Sequence, residues 1–160
     1  MSIQELAAPA ELARVVICQY CNTPAQLVTG KTIYPTRSDL WGNHLWYCET
    51  DQAWVGCHNG SSRPLGILAN GELRILKIRV HALLDPLWGK FEKSRSNTLP
   101  GKAPFSKSRS GAYRWLAEEL GIPAAECHVG MFTNARCREA LRILRTRWDL
   151  LGWRLPAAER

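Results

Sequence analysis

Cys18-Gln19-Tyr20-Cys21, answered by Cys48-Glu49-Thr50-Asp51 and then by Cys57-His58, is the stretch whose reading decides the fold. Two cysteines separated by two residues sit on one tight turn with both sulfurs aimed at one point. A tetrahedral ion such as zinc asks for that arrangement from each half of its site. The first half is regular. The second has Asp51 where a repeat of the Cys-x-x-Cys pattern would put a sulfur, so Asp51, Cys57 and His58 all compete for the fourth position. Asp51 fits the spacing of a second turn, whereas Cys57 lies about one strand length beyond Cys48. Cys18, Cys21 and Cys48 with any one of these would enclose zinc without an open position for water, which makes the ion structural. The alternative is a metal-free group of small buried thiols.

Working outward, Val15-Val16-Ile17 is β-branched and leads straight into Cys18. Gln26 to Gly30 reads as a short strand ending at a turn, and Thr32-Ile33-Tyr34 as the hairpin's continuation until Pro35 stops it. Leu45 to Cys48 and Ala53 to Cys57 are two more strand candidates. The first 60 residues are thus expected to form a small zinc-ribbon-like β module (1–60), with too little core to be secure without a metal staple. A short helix or lead-in is expected from Ile3 to Arg14, interrupted at Pro9.

Asn59-Gly60-Ser61-Ser62-Arg63-Pro64 is loop chemistry and marks a change of composition. From 61 to 160 the pattern is helical, and the two parts are expected to form one compact unit. Asn70 is placed to cap a helix running to about Trp88, with Leu73, Leu76, Val80, Leu83, Leu84 and Leu87 as its apolar stripe. Arg74, Lys77, His81 and Asp85 share its opposite side, and Pro86 should kink or end it. Ser108 or Ser110 should cap a second helix, Gly111 to Leu120, closed by Gly121. Thr133 or Asn134 should cap a third, Ala135 to Leu150, with Cys137, Leu141, Leu144 and Trp148 inward and Arg138, Arg142 and Arg145 on another face. The fold class is therefore α+β: a zinc-ribbon-like module packed on a three-helix C-terminal part.

The 160 residues carry a net charge of +7, a balance that favours nucleic acid or an acidic, nucleic-acid-handling protein as partner. Hydrophobic residues at 46% and charged residues at 22% are those of an ordinary globular chain, and no apolar run approaches the ~18 residues of a membrane helix. Met1-Ser2-Ile3-Gln4-Glu5 has neither the basic start nor the apolar run of a secretory signal, so a reducing cytoplasm is expected, and with it six cysteines kept as thiols or ligands. Most of the seven tryptophans should lie in the core, as large apolar groups in a small protein.

Several motifs in order, Cys18-Gln-Tyr-Cys21, Ala53-Trp-Val-Gly-Cys-His58, Pro64-Leu-Gly66, Leu68-Ala-Asn-Gly-Glu-Leu-Arg74, His81-Ala-Leu-Leu-Asp-Pro-Leu-Trp88, Ala112-Tyr-Arg-Trp-Leu116 and Glu126-Cys-His-Val-Gly-Met131, resemble a group of small phage and prophage proteins described as carrying a zinc-finger-containing domain. The resemblance spans about Cys18 to Leu144. It implies a phage or bacterial origin, a setting in the cytoplasm of a bacterial host and a zinc-ribbon-like start, but no reaction. Members resemble Cys-x-x-Cys at 48–51, where this chain has Asp51, a harder donor than thiolate.

Two further constellations bear on function. His58, His81, Asp85 and His128 include a histidine and a carboxylate four apart on a helix, as a general base or a catalytic metal site would need. The plain alternative is that each satisfies local backbone groups. The other is the basic surface: the loop 89–110, with six Lys or Arg against one Glu, and the last helix. Lys93, Arg95, Lys102, Lys107, Arg109, Arg138, Arg142 and Arg145, with Arg136 and Arg147 beside them, would neutralise phosphates, and Phe91 and Phe105 would stack on bases. With no groove-reading motif, sequence specificity is not expected. The sequence favours a phage-type zinc-binding accessory protein that binds nucleic acid or a nucleic-acid-handling host protein. The rivals are a protein-interaction module countering a host defence and a His/Asp hydrolase or nuclease, and binding is favoured over catalysis.

Overall fold

The computed structural model describes residues 14–88 and 108–160. The protein is α+β and divides into two compact units, Met1–Leu68 and Ala69–Arg160. All but the last residue of the expected helix Ile3 to Arg14, and most of the loop 89–110, lie outside the described residues.

The first unit is a three-stranded antiparallel meander of β1 (Gln26–Thr29), β2 (His44–Cys48) and β3 (Ala53–Gly56), with β2 in the middle. Leu27 pairs with Trp46 and Val28 with Leu45; on the other side Trp46 pairs with Val55 and Cys48 with Ala53. Alternation along β2 does not divide it into one wet and one dry face: Leu45, Trp46 and Cys48 are all buried. The core cluster is Cys18, Ala25, Trp46, Cys48, Ala53 and Leu68, with Val16, Tyr20, Cys21, Val55 and Cys57 partly buried against it. Three of these eleven side chains are Cys18, Cys21 and Cys48, so the apolar material left is meagre, as expected for a unit that leans on a metal.

Thr32-Ile33-Tyr34 does not extend the hairpin. Gly30–Ile33 forms a single helical turn, α1, which takes the chain off the end of β1. Gly30 explains the change of direction. Its backbone N–H donates to the Asn43 carbonyl, and a Cβ added there would stand 1.8 Å from the Leu40 carbonyl oxygen. Only a residue without a side chain lets the two backbones approach so closely, and propensity at 32–34 cannot outweigh that. Trp41 and Trp54 hold the same corner: each indole N–H donates to Tyr34, Trp41 to its carbonyl and Trp54 to its hydroxyl.

The second unit contains α2 (Gly71–Leu84), α3 (Arg109–Leu120) and α4 (Asn134–Leu150), joined and followed by short 3-10 turns. Asn70 caps α2 by accepting from Leu73 N–H at 3.0 Å. Ser108 caps α3 and Thr133 caps α4 in the same way, and Gly121 closes α3 at φ 64°. Pro86 ends the α-helical hydrogen bonding at Leu84, and Asp85–Trp88 continues as a 3-10 turn. All six leucines and valines of the expected α2 stripe are buried. They meet the α4 stripe Cys137, Ala140, Leu141, Ile143, Leu144 and Trp148, whose indole N–H donates to the Leu83 carbonyl. Each fully buried leucine contributes roughly 2 kcal/mol. The side carrying Arg74, Lys77, His81 and Asp85 is half-buried, and Lys77 Nζ donates to the Gly130 carbonyl at 2.7 Å. Water instead faces Glu72, Ile75 and Ile78.

Among the tryptophans, Trp46, Trp148 and Trp153 are buried and Trp41 is exposed, with the Lys31 ammonium 5.0 Å from its ring centre. No described helix is long and apolar enough to cross a membrane.

Candidate metal centre and basic surfaces

Two turns of the same design face each other in the first unit. In the first, Cys18 N–H donates to the Thr23 carbonyl and Asn22 N–H to the Cys18 carbonyl, and the chain leaves through Asn22 in the left-handed region at φ 58°. The second joins β2 to β3 and spans Cys48 to Asp51. Gln52 N–H donates to the Glu49 carbonyl, and Gln52 is again left-handed, at φ 48°. Left-handed backbone is uncommon outside glycine, and Asn tolerates it best. Its recurrence directly after Cys21 and Asp51 identifies both turns as one motif used twice.

The turns bring the ligand atoms of Cys18, Cys21, Cys48 and Asp51 within 4.8 Å of one another. Cys21 Sγ lies 3.5 Å from Cys48 Sγ, and Asp51 Oδ2 lies 3.2 Å from Cys18 Sγ and 3.4 Å from Cys48 Sγ. Zn–S bonds of ~2.3 Å and Zn–O bonds of ~2.0–2.2 Å at tetrahedral angles place sulfurs about 3.8 Å apart and sulfur and oxygen about 3.5 Å apart. These three separations need only a few tenths of an ångström of adjustment, and with all four ligand atoms inside one 4.8 Å group the residues fit zinc.

The electrostatics agree. Burial pushes the Cys18 thiol up to about 12, against which the Tyr20 and Cys21 backbone N–H groups, aimed at its sulfur, favour the thiolate. Hydrogen bonds from Cys21 and Cys18 hold the Asp51 carboxyl below its ordinary range. A partly buried group of thiols around a carboxylate is a poor place for further negative charge until a cation enters; zinc would make the sulfurs thiolates and bind the carboxylate beside them. Three thiolates and one carboxylate carry the same charge as four thiolates, so Asp51 changes donor hardness without changing charge. Cys57 and His58 stand outside this group: Cys57 packs against the core of the first unit, and His58 is exposed.

The second unit holds His81, Asp85 and His128. His81 Nδ1 lies 3.5 Å from Asp85 Oδ1, which also accepts from the Trp88 indole at 3.4 Å. His128 lies against Tyr113, with ring centres 6.1 Å apart. Burial raises the Tyr113 hydroxyl, with a smaller push in the same direction from Asp85 and an opposing one from Arg109. His58 belongs to the other unit.

The arginines separate into two groups. Arg138 pairs with Glu72, Arg136 with Glu139 at 3.4 Å and Arg145 with Glu159 at 2.6 Å, and the Arg147 guanidinium lies 4.9 Å from the Trp115 ring centre. Arg109, Arg114 and Arg142 face no carboxylate among the described residues, and all three are exposed. Lys93, Arg95, Lys102 and Lys107 lie outside the described residues. In the first unit, Arg14 and Arg63 line a cleft of about 620 Å³ with His44, Ser61 and Ser62. Sequence reasoning assigns no role to Arg14, Arg63 and Arg114, because none belongs to a basic run or to a basic stripe at helical spacing. The available signal was a basic residue beside an aromatic, as in Tyr113-Arg114.

A family model for a zinc-finger-containing domain matches residues 14–147. No curated protein and no solved structure matches the chain.

Proposed function

Since the chain belongs to the family of the zinc-finger-containing domain, we propose that it is a zinc-stapled accessory protein, of the phage type its motifs resemble, that binds nucleic acid in a reducing cytoplasm without reading sequence. The observation that carries this reading is the set of exposed arginines that meet no acidic partner among the described residues. In a chain of net charge +7, Arg109, Arg114 and Arg142 face no carboxylate among the described residues, whereas Arg136, Arg138 and Arg145 are neutralised by one. Guanidinium groups beside aromatic rings suit phosphates and bases at once, as the Arg109 guanidinium 5.0 Å from the Tyr113 ring centre does.

Zinc contributes order rather than chemistry. With four protein ligands it holds the two turns together, and apparent binding energies of ~10–16 kcal/mol for such sites are comparable to a small unit's whole stability.

The test is the binding of single- and double-stranded oligonucleotides by the zinc-loaded chain over a range of salt. Affinity should fall steeply with salt and be indifferent to sequence, and Arg142→Ala should shallow the salt slope by about one phosphate contact. A chain that binds no oligonucleotide at low salt is not a nucleic-acid binder, and a module docking on a protein would behave in that way.

A further inference from the structure

A cleft of about 450 Å³ opens where the first turns of α3 meet the 3-10 turn Ala124–Glu126. Its floor includes Tyr113 and the buried Cys127, while Arg109, Ser110, Arg114 and His128 are exposed around it. We propose that this cleft binds a nucleoside monophosphate unit, presented as the phosphorylated end of a single strand. The proposal rests on the nucleic-acid reading for the source of the ligand, though not for its chemistry.

The volume suits a mononucleotide, since pockets for ligands of this class run to ~300–1,000 Å³. The wall has two characters. Tyr113, Ala124 and Cys127 supply a mostly apolar floor, and burial raises the Cys127 thiol to about 11, so it presents a neutral, weakly polar surface. The rim supplies two guanidinium groups, a hydroxyl and an imidazole, with no carboxylate among the described residues that line the cleft. An apolar floor under a cationic rim asks for a flat, weakly polar body carrying a compact anion at one end. A base with its phosphate has that form, whereas inorganic phosphate alone would leave the floor uncovered.

The arginines are also placed for a monoester. Arg109 is held over the Tyr113 ring, so part of its entropy cost is already met, and Arg114 faces no competing acid among the described residues. A terminal phosphate carries more charge than an internal diester, and charge-assisted guanidinium bonds reward that difference. The cleft would therefore prefer a phosphorylated end over the interior of a strand.

The zinc-loaded chain would be titrated with adenosine 5′-monophosphate, adenosine and inorganic phosphate while backbone amide resonances are followed. The monophosphate should move signals from residues 109–114 and 124–128 and bind at least tenfold tighter than adenosine or phosphate. Combined Arg109→Ala and Arg114→Ala replacement should weaken it about tenfold or more, with amide signals elsewhere unchanged. Unmoved signals at these residues, or phosphate binding as tightly as the nucleotide, would overturn the proposal. Oligonucleotides with a 5′-phosphate and a 5′-hydroxyl separate this inference from the broader one. If both bind equally and the double variant behaves as wild type, the cleft proposal fails while the nucleic-acid reading stands. If no oligonucleotide binds, with or without a 5′-phosphate, but the mononucleotide does, the cleft's ligand chemistry stands, while the strand end as its source and the broader reading both fall.

Discussion

The Glu159 carboxylate lies 2.6 Å from the Arg145 guanidinium and is almost wholly buried, its side chain 1% exposed. Arg79 of α2 meets the same carboxylate from the other side. The C-terminal turn Ala157–Glu159 is thereby tied to both long helices of the second unit, and an arginine that resembles part of a basic surface in sequence is committed to structure. Just before that turn, Trp153 packs edge-on against Trp148, with ring centres 5.3 Å apart.

Glu159→Gln should lower the melting temperature by the equivalent of roughly 1–3 kcal/mol. A buried ion pair broken on one side costs ~3–5 kcal/mol, and both arginines here are about one-third exposed, which reduces the figure. The pH dependence has a definite sign. Hydrogen bonds from Arg79, then Arg145, hold the Glu159 carboxyl below its ordinary value, so its contribution is complete above the unfolded pKa of ~4.3 and is lost as pH falls through the lower folded value. Thermal melts between pH 2 and 7 should show a shallower acid limb in the variant.

Purified without added zinc, the protein should contain one zinc per chain by elemental analysis. Chelation should abolish the tertiary signal of Trp46, which is buried in the same core as Cys18 and Cys48. Asp51→Cys should retain zinc, because the turn ending at Gln52 already has the geometry of the turn ending at Asn22. Asp51→Ala should release zinc at far lower chelator concentrations. Equal chelator resistance in Asp51→Ala would remove Asp51 from the ligand set.

Gly30→Ala should destabilise by about 1–3 kcal/mol or more, the usual cost of overpacking. The added methyl meets the Leu40 carbonyl oxygen at 1.8 Å, and a backbone atom cannot rotate aside as a side chain can. Gly42→Ala is the control, since nothing lies within 4 Å of its Cβ position. Chemical denaturation of both variants checks the contrast.

Lys77 is held down to about 8 by burial. Between that value and the ~10.4 of the unfolded chain, the unfolded state binds more protons, so this residue makes the fold relatively more stable as pH rises through the window. The buried Cys127 and Cys137 thiols, raised by desolvation, act in the opposite direction at high pH. The measurable quantity is therefore the difference between wild type and Lys77→Met in melting temperature from pH 7 to 10, which should shift in favour of wild type as pH increases. A constant difference would show that Lys77 keeps an ordinary pKa.

Local chemistry was readable wherever one residue type answers one backbone need. Asn70, Thr133 and Gly121 are helix ends because a short oxygen acceptor or a residue tolerant of positive φ is wanted there, and they serve as such in the fold. The α2 and α4 stripes were readable because helical period alone puts Leu73, Leu76 and Val80, or Cys137, Leu141 and Leu144, on one side. Thr32 to Tyr34 misled for the opposite reason. Their β propensity is real, but Leu40, ten residues beyond Gly30, sets the path of the chain at that corner, and no local pattern carries that information.

By itself the sequence determined the α+β class, the helix stripes, the cap at Asn70 and the stop at Gly121, and the three sulfurs that gather toward an ion, since each follows from residue type and spacing along a short segment. Only the tertiary structure decided that Asp51 joins those sulfurs, that Arg138 and Arg145 are neutralised while Arg109, Arg114 and Arg142 face no carboxylate among the described residues, and that Tyr113 and His128 share a cleft. Those outcomes depend on distances between segments far apart in the chain, and a charge or ligand takes its role from whichever groups the fold brings within a few ångströms of it.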